Sequence, residues 1–139
     1  MSIRAATHDD VLRIREIRAA VRENRLAWPE KISAADVHAF IDRCGVWVWQ
    51  DAAGEMRGFS AGDLADGSVW ALFVEPGHEG QGIGQALIAR TCDGLRSAGH
   101  VRATLGTDPN TRAERFYRTN GWTREGTTAN GGAFFWKLL

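Results

Sequence analysis

Apolar positions along the chain change period several times, and each change marks an element. Ser2 to Thr7 read as a short strand. Thr7 and Asp10 then form a capping-box pattern ahead of Val11, Ile14, Ile17 and Val21, whose spacing of three and four predicts a helix reaching Arg22. The next stretch, ENRLAWPEKIS, holds Trp28 and Pro29, and the proline stops the helix. Ser33 with Asp36 opens a second helix bearing Val37, Phe40 and Ile41. From Gly45 the period falls to two. GVWVWQD, MRGFSAGDL and SVWALFV, parted by turns at Ala52 to Glu55 and at Asp66 and Gly67, predict an antiparallel meander of three strands.

After that meander the helical period returns at Ile83, Leu87, Ile88, Cys92 and Leu95, ending near Gly99, and VRATLGT reads as another strand. Strand, helix and strand in succession predict a parallel crossover pair. A short helix from Thr111 to Thr119 stops at Asn120 and Gly121, and two strands follow, the last being AFFWKLL. The pattern is α+β in one domain spanning residues 1–139, without repeats or a linker. AFFWKLL has two readings, a homodimer contact or a core strand.

Composition narrows the partners. A chain of 139 residues buries about two thirds of its unfolded surface as one domain. Its 17 basic and 17 acidic residues cancel, which argues against a nonspecific nucleic-acid binder and favours a small ligand. No apolar run approaches the ~20 residues that span a bilayer, and MSIRAATHDD lacks the apolar core of a signal peptide, so a cytoplasmic protein is expected. Cys44 and Cys92 stand far apart without a Cys/His cluster, so neither a disulfide framework nor a metal site is expected. His8, His38, His78 and His100 are scattered and receive no chemical role.

The candidate chemistry lies in ALFVEPGHEGQGIGQALIA, Ala71 to Ala89. Here an apolar strand passes through Pro76 and four glycines, Gly77, Gly80, Gly82 and Gly84, into a helix. Glycines leave backbone amides bare, and a helix start aims unpaired N–H groups and a positive dipole end at the loop. An anion is the natural guest. The dinucleotide pattern GxGxxG fits poorly, because GQGIGQ lacks the final spacing, and the Walker pattern fails because Ile83 stands where lysine is required.

A second segment, NTRAERFYRTNGW, is decisive beside the first. Together they resemble the GNAT N-acetyltransferase family, whose acetyl-CoA loop reads Arg/Gln-x-x-Gly-x-Gly/Ala and whose later motif reads Asn-x-x-Ala-x-x-Phe/Leu-Tyr-x-x-x-Gly-Phe/Trp. The loop here is Glu79, Gly80, Gln81, Gly82, Ile83, Gly84, and the later motif is Asn110, Ala113, Phe116, Tyr117, Gly121 and Trp122. One departure stands out, Glu79 where the family has Arg or Gln. It removes a phosphate donor and adds a negative charge, for which Arg90, Arg112 or Arg115 compensates.

The resemblance implies a GNAT-like fold, a mixed and mostly antiparallel sheet of about seven strands flanked by about four helices. It also implies acetyl-CoA as co-substrate and direct acetyl transfer to a primary amine of a small molecule or peptide. The amides of Gln81, Gly82, Ile83, Gly84 and Gln85 would hold the pyrophosphate, and Leu72, Phe73 and Val74 would pair with the pantetheine arm. An N–H of Phe73 or Val74 would face the thioester oxygen, a contact of about 3 to 4 kcal/mol in other enzymes. Tyr117 would protonate the departing thiolate, beside Ala113 and Phe116. Asn110 would bond the pantetheine region or cap the short helix. SVWALFV carries no carboxylate to act as base, which leaves Asp63, Glu23 and Glu75, the first two preferred. Trp28 and Trp70 would wall the acceptor site. Two rivals stay open: a CoA-binding sensor without turnover, and a module preferring NAD or ATP.

Overall fold

In the computed structural model, which describes residues 1–21, 33–129 and 131–139, seven strands form one sheet. Chain order is β1 (Ser2–Ala5), α1 (Val11–Ala20), α2 (Ala34–Arg43), β2 (Val46–Gln50), β3 (Met56–Asp63), β4 (Ser68–Val74) and α3 (Ile83–Ser97). There follow β5 (Arg102–Thr107), α4 (Arg112–Thr119), β6 (Thr123–Thr127) and β7 (Ala133–Leu138). The sheet order is β1-β2-β3-β4-β5-β7-β6, and of these pairings β4 with β5 alone is parallel. The expected α+β architecture is therefore the observed one.

Both predicted capping boxes form. The Thr7 N–H donates to Asp10 Oδ2 at 2.8 Å, and at α2 Ser33 Oγ accepts from Asp36 N at 3.1 Å while Ser33 N donates to Asp36 Oδ2 at 2.9 Å. The first box opens a 3-10 turn, His8–Asp10, that leads into α1. α1 stops at Ala20, two residues before the expected Arg22, because Val21 is extended and its carbonyl accepts from Arg18 Nη1 at 3.4 Å. That C-terminal contact from a basic side chain closes the helix where apolar spacing would continue it.

Strand alternation divides the core. Val11, Ile14 and Ile17 of α1 and Val37 and Phe40 of α2 pack with Val48, Phe59, Ala61 and Phe73 on one face. Ile88 and Leu95 of α3 and Tyr117 of α4 pack with Ala103, Leu105, Trp122 and Phe135 on the other. β3 turns a row of small residues toward α3. A Cβ at Gly58 would meet Phe73 O at 3.0 Å and Ile83 and Leu87 side chains at 3.1 Å, and Ser60 Oγ shares a buried 2.6 Å hydrogen bond with Thr91 Oγ1. This close approach seats the start of α3 beside the end of β4.

Two irregularities shape β4. Ala61 faces Ala71 and Gly62 faces Val69, so Trp70 is the extra residue of a bulge, its ring stacked on Phe40 at 4.0 Å. On its other edge β4 registers with β5 at one pair, Ser68 opposite Thr104. Beyond it the strands part. β7 lies between β5 and β6, with Ala133 and Phe135 fully buried, so the apolar C-terminal strand serves the core. Among the described residues no helix is long and apolar enough to cross a membrane.

Candidate active site

The loop glycines adopt the conformation their lack of a side chain permits. Gly80 and Gly82 have φ of 76° and 82°, where a Cβ would be strained. Gly82 is the N-cap of α3 without a side-chain cap, and the first helical bond runs from Ala86 N to Gly82 O at 3.1 Å. The N–H groups of Ile83, Gly84 and Gln85 therefore have no acceptor within the helix. Gly84 is open enough that a Cβ would reach Phe116 only at 3.4 Å.

The parting of β4 from β5 bares a second set of backbone groups. Glu75 N donates to Arg57 O at 2.8 Å, so Glu75 and Arg57 form a hydrogen-bonded pair of the antiparallel ladder. Such pairs alternate, which makes Phe73 opposite Phe59 bonded as well. Leu72 and Val74 turn their N–H and C=O groups the other way, into the gap. Of the two expected donors Val74 thus faces the gap, whereas the Phe73 amide is directed into the β3 ladder; Leu72 is the further donor.

These groups share one cleft of about 780 Å³. Its walls are Leu72, Phe73 and Val74 of β4, Glu79, Gly80, Gly82, Ile83, Gly84 and Gln85 of the loop and α3, and Ala113, Phe116 and Tyr117 of α4. Gln81 is exposed on the loop and adds no side chain to the wall. Tyr117 is 5% exposed, its ring held edge-on by Phe116 at 5.3 Å and Trp122 at 5.5 Å. Burial, with the Cys92 sulfur nearby, pushes its phenol well above the ordinary value. It stays protonated at neutral pH and can act only as a donor of its proton.

Charges of both signs flank the loop. Arg112 and Arg115 line the cleft, whereas Arg90 stacks over Trp47 at 4.8 Å; of the three candidate arginines two thus lie beside the loop. Glu79 is exposed, and Oε1 accepts the Gly77 N–H at 2.7 Å. Its own backbone N–H, that of Gly77, and the nearby Arg112 and His78 hold the carboxyl below its usual range. It remains an anion at the mouth of the cleft.

The other expected residues are dispersed. Asn110 is exposed, outside the cleft wall, with a φ of 60°, and its N–H donates to Glu114 Oε1 at 3.3 Å. The cap of α4 is instead Thr111, whose Oγ1 accepts from Glu114 N at 3.2 Å. Asp63 lies opposite Ser68, four residues beyond the Phe59–Phe73 rung, which is roughly 13 Å along the ladder. Its Oδ1 accepts the Ala65 N–H at 2.9 Å, so the structure does not bring it to the cleft. Glu75 is clamped by Arg13 and Arg57, each at 2.6 Å, and these bonds outweigh its burial to hold the carboxyl low. Glu23 and Trp28 lie outside the described residues. Sequence reasoning missed Ala20, Val21, His78 and Asn120 as walls. His78 sits on the loop, its Nε2 3.5 Å from Glu75 Oε1, and Asn120 Oδ1 accepts from Gln85 Nε2 at 2.9 Å. The loop position of His78 was a signal; nothing in the spacing placed the end of α1 there.

The family model described as acetyltransferase (GNAT) domain matches residues 42–124, more than half the chain. The chain belongs to the GNAT acetyltransferase family. This GNAT chain is 40% identical over 62 residues to mycothiol acetyltransferase of Beutenbergia cavernae, which is 44% of this chain and 21% of that protein. It is 31% identical over 138 residues to serotonin N-acetyltransferase 2, chloroplastic, of Oryza sativa subsp. japonica, covering 95% of this chain and 66% of that protein. The chain thus spans less than two thirds of each of these relatives' lengths. The GNAT fold is shared with the PaiA N-acetyltransferase from Thermoplasma acidophilum in complex with coenzyme A, at TM-score 0.81 and 18% identity over the whole of both chains. YncA, a putative acetyltransferase from Salmonella typhimurium with acetyl-CoA, matches at TM-score 0.81 and 20% identity over 99% of this chain and 93% of that one.

Proposed function

We propose that this GNAT chain transfers an acetyl group from acetyl-CoA directly to a primary amine. The observation that carries the reading is convergence: the bare amides of Ile83, Gly84 and Gln85, the open edge of β4 and the buried phenol of Tyr117 line one cleft. The residues fit the co-substrate in order. The α3 amides with Arg112 and Arg115 meet the phosphates, Leu72 and Val74 pair with the pantetheine amides as an added strand, and the thioester rests toward Tyr117.

The amine lone pair attacks the thioester carbonyl carbon, and the carbonyl oxygen takes the negative charge facing a β4 N–H, that of Val74 or Leu72. Collapse breaks the C–S bond and the Tyr117 phenol gives its proton to the sulfur. The proton leaving the amine passes to water, or through a water chain to Asp63 or Glu23. Turnover within twofold of wild type in the Ala variants of both would remove the two carboxylates from this step. A cytoplasmic setting is part of this proposal.

Calorimetric titration with acetyl-CoA, CoA and NAD tests the donor. Selective acetyl-CoA binding, lost in Gly82→Asp/Gly84→Asp, is the expected result; a preference for NAD overturns it. An amine panel then tests turnover. One observation favours a second reading, a CoA-binding sensor: among the described residues Glu79 is the sole carboxylate on the cleft wall, and it is bonded to the loop. Binding without acetylation of any amine in the panel would select the sensor.

A further inference from the structure

The 3-10 turn before α1 and the middle of α2 are joined by three side chains outside the cleft. His8 Nδ1 lies 2.6 Å from His38 Nδ1, and His8 Nε2 lies 2.7 Å from Asp42 Oδ1. The two ring centroids are 4.8 Å apart with 27° between the planes. An ionised Asp42 can only accept, so His8 carries a proton on Nε2, and in the neutral ring that leaves Nδ1 as a bare lone pair. The short Nδ1–Nδ1 contact then has room for one proton, that of His38. His38 and Asp42 stand four residues apart on α2, so one helix face supplies both.

Two imidazole nitrogens from separate elements aimed at one point, with a carboxylate fixing the tautomer of one ring, are a donor set for a divalent transition metal. We propose that His8 and His38 bind Zn2+ through Nδ1, with Asp42 backing His8. As two N–Zn bonds form, neutral His38 keeps its one ring proton but carries it on Nε2 instead of Nδ1, the transfer running through solvent, so there is no net proton release and no change of oxidation state. With Zn–N bonds of about 2.0 Å at a tetrahedral angle, the nitrogens must sit about 3.3 Å apart, an opening of roughly 0.7 Å. The His8 side chain is 49% exposed and Asp42 71%, so rotation about the side-chain bonds supplies that opening without disturbing the core. Among the described residues no group of three or more ligating side chains gathers to hold an ion, so water completes the shell. The metal would tie the start of α1 to α2, and the far end of α1 lines the cleft through Ala20 and Val21.

The test is calorimetric titration of the full chain, with any affinity tag removed, by ZnCl2 in two buffers of different protonation enthalpy. One Zn2+ per chain is expected, with nearly equal binding enthalpy in the two buffers because no net proton is released, together with a melting point raised by zinc and not by calcium. His38→Gln should lower the affinity at least tenfold and Asp42→Asn roughly tenfold. His100→Gln, whose ring Nε2 meets Leu64 O at 2.7 Å, should leave it unchanged. Far-UV circular dichroism confirms that each variant folds. No saturable binding, or binding undiminished in folded His38→Gln, overturns the proposal.

Discussion

Tyr117 is the residue at which burial and the proposed chemistry coincide. Its ring is packed by three aromatic neighbours and its phenol is held protonated by desolvation, so removal of the hydroxyl alone separates the two roles. Tyr117→Phe should fold normally and bind acetyl-CoA within about twofold of wild type, while turnover falls by roughly a hundredfold, the lower range for a positioned acid. Calorimetry against steady-state rates makes the comparison. Glu79 offers the opposite sign. Its charge, kept ionised by loop amides, would oppose the phosphates of a CoA seated as proposed, and a like-charge pair a few ångströms apart in a watery setting is worth ~1 kcal/mol. Glu79→Gln should tighten CoA binding about fivefold at low salt, with the gain shrinking as ionic strength rises. Equal or weaker affinity would mean that the Glu79–Gly77 contact serves the loop more than its charge harms it. Both residues were legible in the sequence because each sits in a motif with fixed spacing. The choice between Phe73 and Val74 was not, since it depends on which ladder bond Glu75 makes.

Elements meet through small residues and short polar links. Gly58 faces α3 against a backbone carbonyl, whereas the nearest atoms a Cβ at Gly62 would meet belong to the Thr91 and Leu95 side chains, from 3.0 Å. Gly58→Ala should therefore cost about 1–3 kcal/mol and raise the KM for acetyl-CoA by tilting the start of α3, with Gly62→Ala milder. Urea denaturation together with kinetics would show both. The link between β1 and the turn before α1 is pH-dependent. Arg4 donates to both Asp10 oxygens at 2.8 and 2.9 Å, and these bonds hold the Asp10 carboxyl below its usual range. A depressed folded-state value means stability present above the unfolded value and lost as pH falls through the folded one. The melting-point gap between wild type and Asp10→Asn should be full above the ordinary carboxylate range, at about 3 °C for a loss near 1 kcal/mol, and close as pH falls below that range. Helices and strands were readable because their periods are local. The two capping boxes carried over intact; the end of α1 did not, because the bond from Arg18 to the Val21 carbonyl leaves no trace in apolar spacing.

At the scale of the whole molecule, the fold was legible from element order and the site only in part. Glycine loop and α4 motif marked two walls of the cleft, where the proposal seats the phosphates and the thiolate, but the acceptor end has no contiguous motif, and Asp63 lies far along the ladder once the strand register is fixed. Ligand should report on the whole chain: at a hundred times its Kd, acetyl-CoA adds about 2.7 kcal/mol of stability, a rise of roughly 8 °C that Gly82→Asp/Gly84→Asp should abolish. The single parallel rung between Ser68 and Thr104 carries a further consequence. With no ladder to protect them, the Leu72 and Val74 amides exchange their hydrogens with solvent at rates set by water access, while Phe73 between them waits for a local opening. A donor that inserts as an eighth strand would lengthen those two lifetimes first, so the sheet's weakest seam doubles as its most sensitive gauge of occupancy.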